Sequence, residues 1–461
     1  MSSGLKFFPL IVLAGLGAGL AFWIVPLETK AVRDHIIGFP LSDGFTLRFR
    51  PIVLAALCFL PALASLCYAL SGTLDRYLAR QMLGAVGVCA LALGVVWALM
   101  DVNDNLGEFQ RTEDKPAFLL VYYAVTLPAV FVHLVPFALM LGLLFCLSRL
   151  STSREIIAMT QTGRGLARVL APFGVVGFFL SLACLCFNYH WAPWGDGYRK
   201  ALLEKANSGS ASQARNILFV YRDENRVPLR VWMVGRFPYN YSHGQPLRDV
   251  EVRTKSDDGS PATVLKAPLA TWDSETRTWI FEKAEFLDLR APLQDGVEMP
   301  EFRPLPSPHP IATYPETPWQ IVKPGLKQEF LGIPELKSWL KEYEHVEWAP
   351  RRSYLTQWYY RWAQPWICLV VVLLAAPLGI VFTRRGTAGG IAIAVFLCAS
   401  MLIGAEISLT LGYAGYLPPA LAAWGTNLVF TTLALFLLYR RLSGRPIYQS
   451  LMNLIPLRNE D

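Results

Sequence analysis

"LVPFALMLGLLFCLSRLSTSREIIAMTQTGRG" (134–165) joins two kinds of sequence. Its first half belongs to a charge-free run, 116–148, longer than the ~20 apolar residues a helix needs to cross a bilayer. Its second half carries Arg149, Arg154, Glu155 and Arg164. Thr152 and Glu155 have the spacing of a capping box, in which each side chain satisfies a free backbone N–H at a helix start. Gly163 stands where a left-handed residue ends a helix. The spacing predicts a helix over 152–163, too short to persist alone. Something must hold it.

Working outward, other uncharged runs cover 7–27, 51–74, 81–100, 169–195 and 362–383. A last apolar stretch, 386–439, is interrupted only by Glu406. Gly412, Gly415, Pro418 and Pro419 divide it into helices near 387–411 and 418–439. Eight membrane spans are expected, two of them before residue 75. The chain is 53% hydrophobic and only 17% charged, a balance a soluble fold rarely has. Residues 7–27 lack a basic n-region beyond Lys6 and a convincing cleavage site, so they read as a retained helix rather than a signal peptide.

Arginine placement orients the spans. Arg76 and Arg80, then Arg149, Arg154, Arg164 and Arg168, then Arg384 and Arg385, then Arg440, Arg441 and Arg445 fall on one side by parity. That side is expected to be the cytoplasm. The acidic 101–115 and the uncharged 412–420 fall opposite. One loop disagrees: 27–50 carries Lys30, Arg33, Arg48 and Arg50, yet parity places it outside. Either the first two segments are atypical or one is re-entrant.

The polar interval from about 196 to 350 reads as β structure, with β-branched and aromatic runs at 217–223, 228–237, 247–254, 263–273 and 278–289. Trp272 and Trp279 flank "DSETR", a hairpin connection. Many short strands suggest a sandwich or jelly roll. "IPELKSWLKEYEHVEW" (333–348) reads as an amphipathic helix returning to the membrane.

Catalytic signatures are missing from the sequence. It has no G-x-x-x-x-G-K-[ST], no H-E-x-x-H and no C-x-x-C, and no G-x-S-x-G elbow. Its six histidines are scattered, and all eight cysteines lie in apolar runs, where thiols act as small hydrophobes. No metal site, nucleic-acid partner or enzyme activity is expected. His133, between Pro128 and Pro136, reads as a neutral residue bonding a carbonyl freed at a kink.

Four stretches then carry a family resemblance: "LDRYLARQML" (74–83), the 134–165 segment, "YYRWAQPW" (359–366) with Arg361 and Pro365, and "GYAGYLPPALAAWGTNLVF" (412–430). Together they resemble the LptF/LptG permeases, membrane subunits of the lipopolysaccharide-export ABC transporter, over about 73–442. The fold implied is an α-helical membrane protein. A six-helix permease core plus two extra N-terminal helices would carry an inserted all-β, jelly-roll-like periplasmic domain. The expected parts are the extra pair (1–72) and core helices 1–3 with the coupling helix (73–195). The β-domain (196–350), core helices 4–6 (351–442) and a cytoplasmic tail (443–461) follow. The common six-helix layout lacks residues 1–70.

In that family the segment after the second core helix is a coupling helix docked on the cytoplasmic ATPase LptB. The resemblance implies that role for Arg154, Glu155, Ile156, Ile157, Met159, Thr160 and Gly163. Ile156, Met159 and Thr160 share one helix face, which would fill the ATPase groove, with Arg154 and Glu155 at its rim. The alternative is an amphipathic loop helix lying on the bilayer. Family members meet lipid A phosphates with basic residues near the outer end of the first core helix. Here 81–100 has none, so Arg111 and Lys115 are candidates, or are ordinary loop charges. Glu406, inside a span, is a cavity or lateral-gate candidate, or a satisfied structural group.

The implied partners are an LptB-like ATPase dimer, a second LptF/LptG-like permease subunit, LptC/LptA-like periplasmic β-jelly-roll proteins, lipopolysaccharide and the inner membrane. No cofactor is expected in this chain, ATP and magnesium belonging to the ATPase. Strand addition at an open sheet edge would join the bridge. A permease for another lipid or lipoprotein, or a membrane-anchored assembly scaffold, are the competing readings.

Overall fold

The computed structural model describes residues 3–37, 44–112, 114–208, 212–222, 228–239, 241, 244–256, 260–273, 275–290, 301–343, 349–379 and 388–442. Helices α1 (Ser3–Ile37), α2 (Gly44–Leu47) and α3 (Arg50–Leu70) precede α4 (Thr73–Asp104), α5 (Leu106–Arg111) and α6 (Lys115–Thr152). After α7 (Glu155–Gln161) come α8 (Leu166–Tyr189) and α9 (Trp191–Ser208). Strands follow, then α10 (Pro318–Val322), α11 (Ile333–Glu342), α12 (Ala349–Ala363), α13 (Ile367–Gly379), α14 (Ala388–Tyr413) and α15 (Pro419–Leu442).

Among the described residues, eight helical stretches are long and apolar enough to cross a membrane, as expected: α1, α3, α4, α6, α8, α12 running into α13, α14 and α15. A single 3-10 turn, Gln364–Trp366, joins α12 to α13 at Pro365. α13 sits centrally, packed against α6, α8, α14 and α15, and is hydrophobic all round because it is buried all round. Arg384, Arg385 and the tail 443–461 lie outside the described residues.

The N-terminal pair forms a hairpin of two helices, each long and apolar enough to cross a membrane. It rests mainly on α8. The backbone approach is close at Gly17, where an added Cβ would stand 2.6 Å from the Cys58 carbonyl oxygen. Its connecting end lies with the β-domain. Val32 and Leu47 are buried in the β-domain core, and Tyr189 donates its hydroxyl to the Thr46 carbonyl at 3.0 Å. The discordant arginines of 27–50 are explained in part by pairing: Arg50 contacts Glu28 at 2.6 Å, both largely buried.

The β-domain has β1 (Ala214–Arg222), β2 (Pro228–Phe237), β3 (Leu247–Lys255), β4 (Pro261–Asp273), β5 (Thr278–Glu282), β6 (Glu285–Asp288), β7 (Arg303–Pro304) and β8 (His309–Ile311). All pair antiparallel, in the order β1-β2-β3-β4-β5-β8, with β6 on β4 and β7 on β6. β4 therefore forks. Its Leu269–Asp273 half pairs β5 and its Thr263–Lys266 half pairs β6. Trp272 faces Trp279 across the expected hairpin. The run 278–289 is not one strand, because Lys283 takes a left-handed φ of 51° and turns the chain between β5 and β6. Trp232, Trp279, Trp319, Phe237 and Phe281 fill the core. The expected helix 333–348 ends at Glu342, and 344–348 lie outside the described residues.

Candidate functional site

The segment between α6 and α8 is built differently from the expected cap. α6 continues through Thr152, whose hydroxyl bonds back to the Ser148 carbonyl at 2.9 Å instead of capping a new helix. The break comes at Arg154, which takes a left-handed φ of 57°. A short α7 follows, and Gly163 closes it at φ 83°, the left-handed terminus expected. A capping box does occur in the chain, at Thr317 and Gln320 ahead of α10.

Glu155 is released from capping and used elsewhere. Its carboxylate accepts from the Tyr77 hydroxyl at 2.9 Å and from the Ser153 hydroxyl at 2.9 Å. Gln81 donates in turn to the Tyr77 oxygen at 3.3 Å. Tyr77 and Gln81 lie on α4, so α7 is tied to the first turns of that helix. Arg164 approaches Asp75 at 3.8 Å, a long contact worth little.

The face expected to meet an ATPase points the wrong way. Ile156 is 1% exposed and Met159 is 9% exposed, and both join the transmembrane core with Leu78, Met82, Leu150 and Val169. Burying such side chains contributes roughly 2 kcal/mol each. That contribution is what holds so short a helix in place. Ile157 and Thr160 are half-buried. The outward surface is Arg154, Ala158 and Gln161, again at one-turn spacing.

At the opposite end, the other candidates do not converge. Arg111, on α5, donates to the Asn207 side chain of α9 at 2.5 Å. Lys115 is exposed in the first turn of α6. Glu406 is exposed on α14, near Tyr360 and Tyr413. An unanticipated cluster is better built. Asp101, buried at the end of α4, accepts from Tyr122 at 3.0 Å and Asn105 at 3.3 Å, and pairs with Arg199 of α9 at 3.4 Å. Beside it an open cleft of about 340 Å³ holds Arg199, Lys200, Asp196 and Glu329 above Trp97, Ala129, Val130 and Leu134. His133 also lines it, and bonds through Nδ1 to the Ala129 carbonyl at 2.7 Å. That carbonyl is not the one freed by Pro136, which is that of Val132, four residues earlier. The sequence signal was slight: an acid at the edge of a span and a basic pair ninety-odd residues later.

The seam between bundle and β-domain is charged and buried. His190 Nδ1 lies 2.6 Å from Glu335 Oε1, both largely buried. Burial alone would raise the Glu335 pKa. The His190 and Arg50 charges and hydrogen bonding outweigh it and hold the carboxyl down at about 2. Within the β-domain, Arg230 Nη1 donates to both Glu316 oxygens at 3.0 and 2.9 Å. There burial wins, leaving the Glu316 pKa raised although Arg230 pulls it down. Arg361 of the "YYRWAQPW" stretch donates to the carbonyls of Leu331 at 3.2 Å and Glu329 at 2.5 Å and to the Asn188 side chain at 3.0 Å. It binds α8 and α12 to the chain leaving the β-domain.

Among the described residues no three His, Cys, Asp or Glu side chains gather to hold a metal ion. The arrangement suits movement relayed between helices and a charged cleft over an apolar wall. No curated protein matches the chain. The family model described as "Lipopolysaccharide export system permease LptF/LptG" matches residues 76–440, which run from the first turn of α4 to the end of α15 and leave out the N-terminal hairpin. A multi-pass helical bundle with an inserted antiparallel β-domain, matched over that length, belongs to the LptF/LptG family of lipopolysaccharide-export permeases.

Proposed function

We propose that this chain is the non-catalytic permease half of an ABC exporter that draws lipopolysaccharide out of the inner membrane. ATP and magnesium are held by a separate cytoplasmic ATPase dimer, which docks on the outward face of α7 at Arg154, Ala158 and Gln161. The observation that carries this reading is the two-sidedness of α7. Its inner face is fixed to the bundle by Ile156, Met159 and the Glu155–Tyr77 bond, while its outer face is open. A push on α7 is therefore delivered to α4.

A second LptF/LptG-like subunit completes the cavity. The lipid phosphates are met by Arg199 and Lys200 rather than by Arg111 and Lys115, because the former sit in a cleft with an apolar wall beneath. Guanidinium and ammonium donors suit phosphate oxygens. The β-domain, on the periplasmic side, passes the lipid on to β-jelly-roll partners by edge pairing.

The test is co-purification from a mild detergent, with ATPase activity and lipopolysaccharide export measured in parallel. Ala158→Arg should lose the ATPase while keeping the fold. Tyr77→Phe should keep the ATPase bound but lower export, because the relay is cut. A well-folded wild type that brings down no ATPase would reject the exporter and favour a scaffold.

A further inference from the structure

A second open cleft, about 600 Å³, lies between α4 and α6 at the arginine-rich end of the bundle. Its α4 wall consists of Arg80, Gln81, Gly84, Ala85, Val88 and Cys89. These form two adjacent rows repeating every four residues, one continuous strip of helix surface. α6 closes the other side with Phe145, Cys146 and Arg149. The small residues hollow the wall, and a Cβ added to Gly84 meets no atom within 4 Å.

Charge and depth are ordered. From Arg80 to Cys89 the helix rises roughly 13 Å, so a cationic mouth stands over an apolar floor along the membrane normal. Arg80 and Arg149 are exposed, and among the described residues no carboxylate lines the cleft. A polar cleft for a soluble anion would not continue into such a floor. A slot for a neighbouring helix would not carry two arginines at its rim.

We propose that this cleft binds an anionic glycerophospholipid from the leaflet on the arginine-rich side. Its phosphate sits on Arg80 and Arg149, and one acyl chain runs along Gly84, Ala85, Val88 and Phe145. Arginine forks match phosphate oxygens in pairs, and basic pockets between membrane helices attract acidic headgroups. The headgroup lies beside Gln81, which bonds Tyr77, which bonds Glu155. A lipid thus occupies the place where α4 holds α7. The binding itself does not depend on the transport reading.

The experiment is native mass spectrometry of the delipidated full chain with dioleoyl phosphatidylglycerol or phosphatidylcholine added, with inorganic phosphate as competitor. Phosphatidylglycerol should be retained about tenfold more strongly than phosphatidylcholine. The double variant Arg80→Gln/Arg149→Gln should abolish that preference. Gly84→Leu, whose Cβ meets no atom within 4 Å and whose side chain enters the slot, should lower phosphatidylglycerol retention about tenfold with both arginines intact and the thermal midpoint unchanged. Equal retention of the two lipids, or full retention in Gly84→Leu, would overturn the proposal. Millimolar inorganic phosphate binding equally well to Gly84→Leu, and displacing the lipid, would assign the arginines to free phosphate instead. Loss of a dimer in Gly84→Leu, with no lipid preference in wild type, would give the slot to a second copy of the chain.

Discussion

Glu335→Gln isolates the energy stored in the seam between α8 and the β-domain. The Glu335 carboxyl titrates at about 2 against an ordinary value of 4.5. Each unit of difference is worth about 1.4 kcal/mol, so the ionised form stabilises the fold by about 3 kcal/mol at neutral pH. Because the folded value is depressed, that stabilisation is fully present above pH 4.5 and is lost as the pH falls toward 2. Glutamine keeps the size of the side chain and removes the charge. Unfolding in detergent, followed by fluorescence, reads the change; Trp339 of α11 stacks on Tyr354 at 3.7 Å and reports on the seam. Wild type should exceed Glu335→Gln by about 3 kcal/mol at pH 6 and by roughly 1 kcal/mol at pH 3. Titrating groups remote from Glu335 cancel in the difference. A gap of equal size at both pH values would show that glutamine disturbs packing, and that the charge on Glu335 contributes nothing.

Arg230→Met leaves Glu316 buried without its partner and should destabilise the β-domain by about 3–5 kcal/mol. Since the Glu316 pKa is raised, the deficit should shrink as pH falls toward 4.5, which chemical unfolding at two pH values will show. Gly142→Leu should lower the thermal midpoint sharply, because an added Cβ stands 2.6 Å from the Val86 backbone and α4 must move off α6, at a cost of ~1–3 kcal/mol or more. Gly84→Leu on the same helix pair is the control. Arg361→Gln strips donors from the Leu331 and Glu329 carbonyls and the Asn188 side chain. About 3 kcal/mol of stability should go with them, measured by denaturant midpoint, and lysine should restore only part of it.

Most of the bundle was legible because a membrane span announces itself by length and absence of charge. The first two spans were legible too; what misled was Arg50, whose partner Glu28 lies a helix away and neutralises it. The short helix between α6 and α8 was legible as a helix, but the face expected to point outward is buried. A spacing of i, i+3, i+4 shows that Ile156, Met159 and Thr160 share a face, and says nothing of which neighbour that face meets. Thr152 and Glu155 had capping spacing, yet a helix already in progress offers no free N–H groups to cap. The Asp101–Tyr122–Arg199 cluster joins three helices across 98 residues of chain, and no local pattern encodes such a meeting. In the β-domain, β-branched and aromatic runs located the strands, while the fork in β4 depends on a backbone turn at Lys283 that residue type alone does not specify.

Val32 and Leu47, buried with Trp232 and Trp279, bear on the order in which the molecule can be made. They emerge from the ribosome some two hundred residues before the sheet they help to fill. Tyr354, another member of that core, emerges about seventy residues after the sheet begins to close at β4 and β5. The β-domain therefore waits at both ends of its own synthesis. Contacts of such long sequence separation form late, because the intervening chain must be closed first. The domain cut out at 196–350 should expose apolar surface where these residues belong and be prone to aggregate. The N-terminal hairpin, synthesised first, already carries Val32 and Leu47 when the β-domain closes around them.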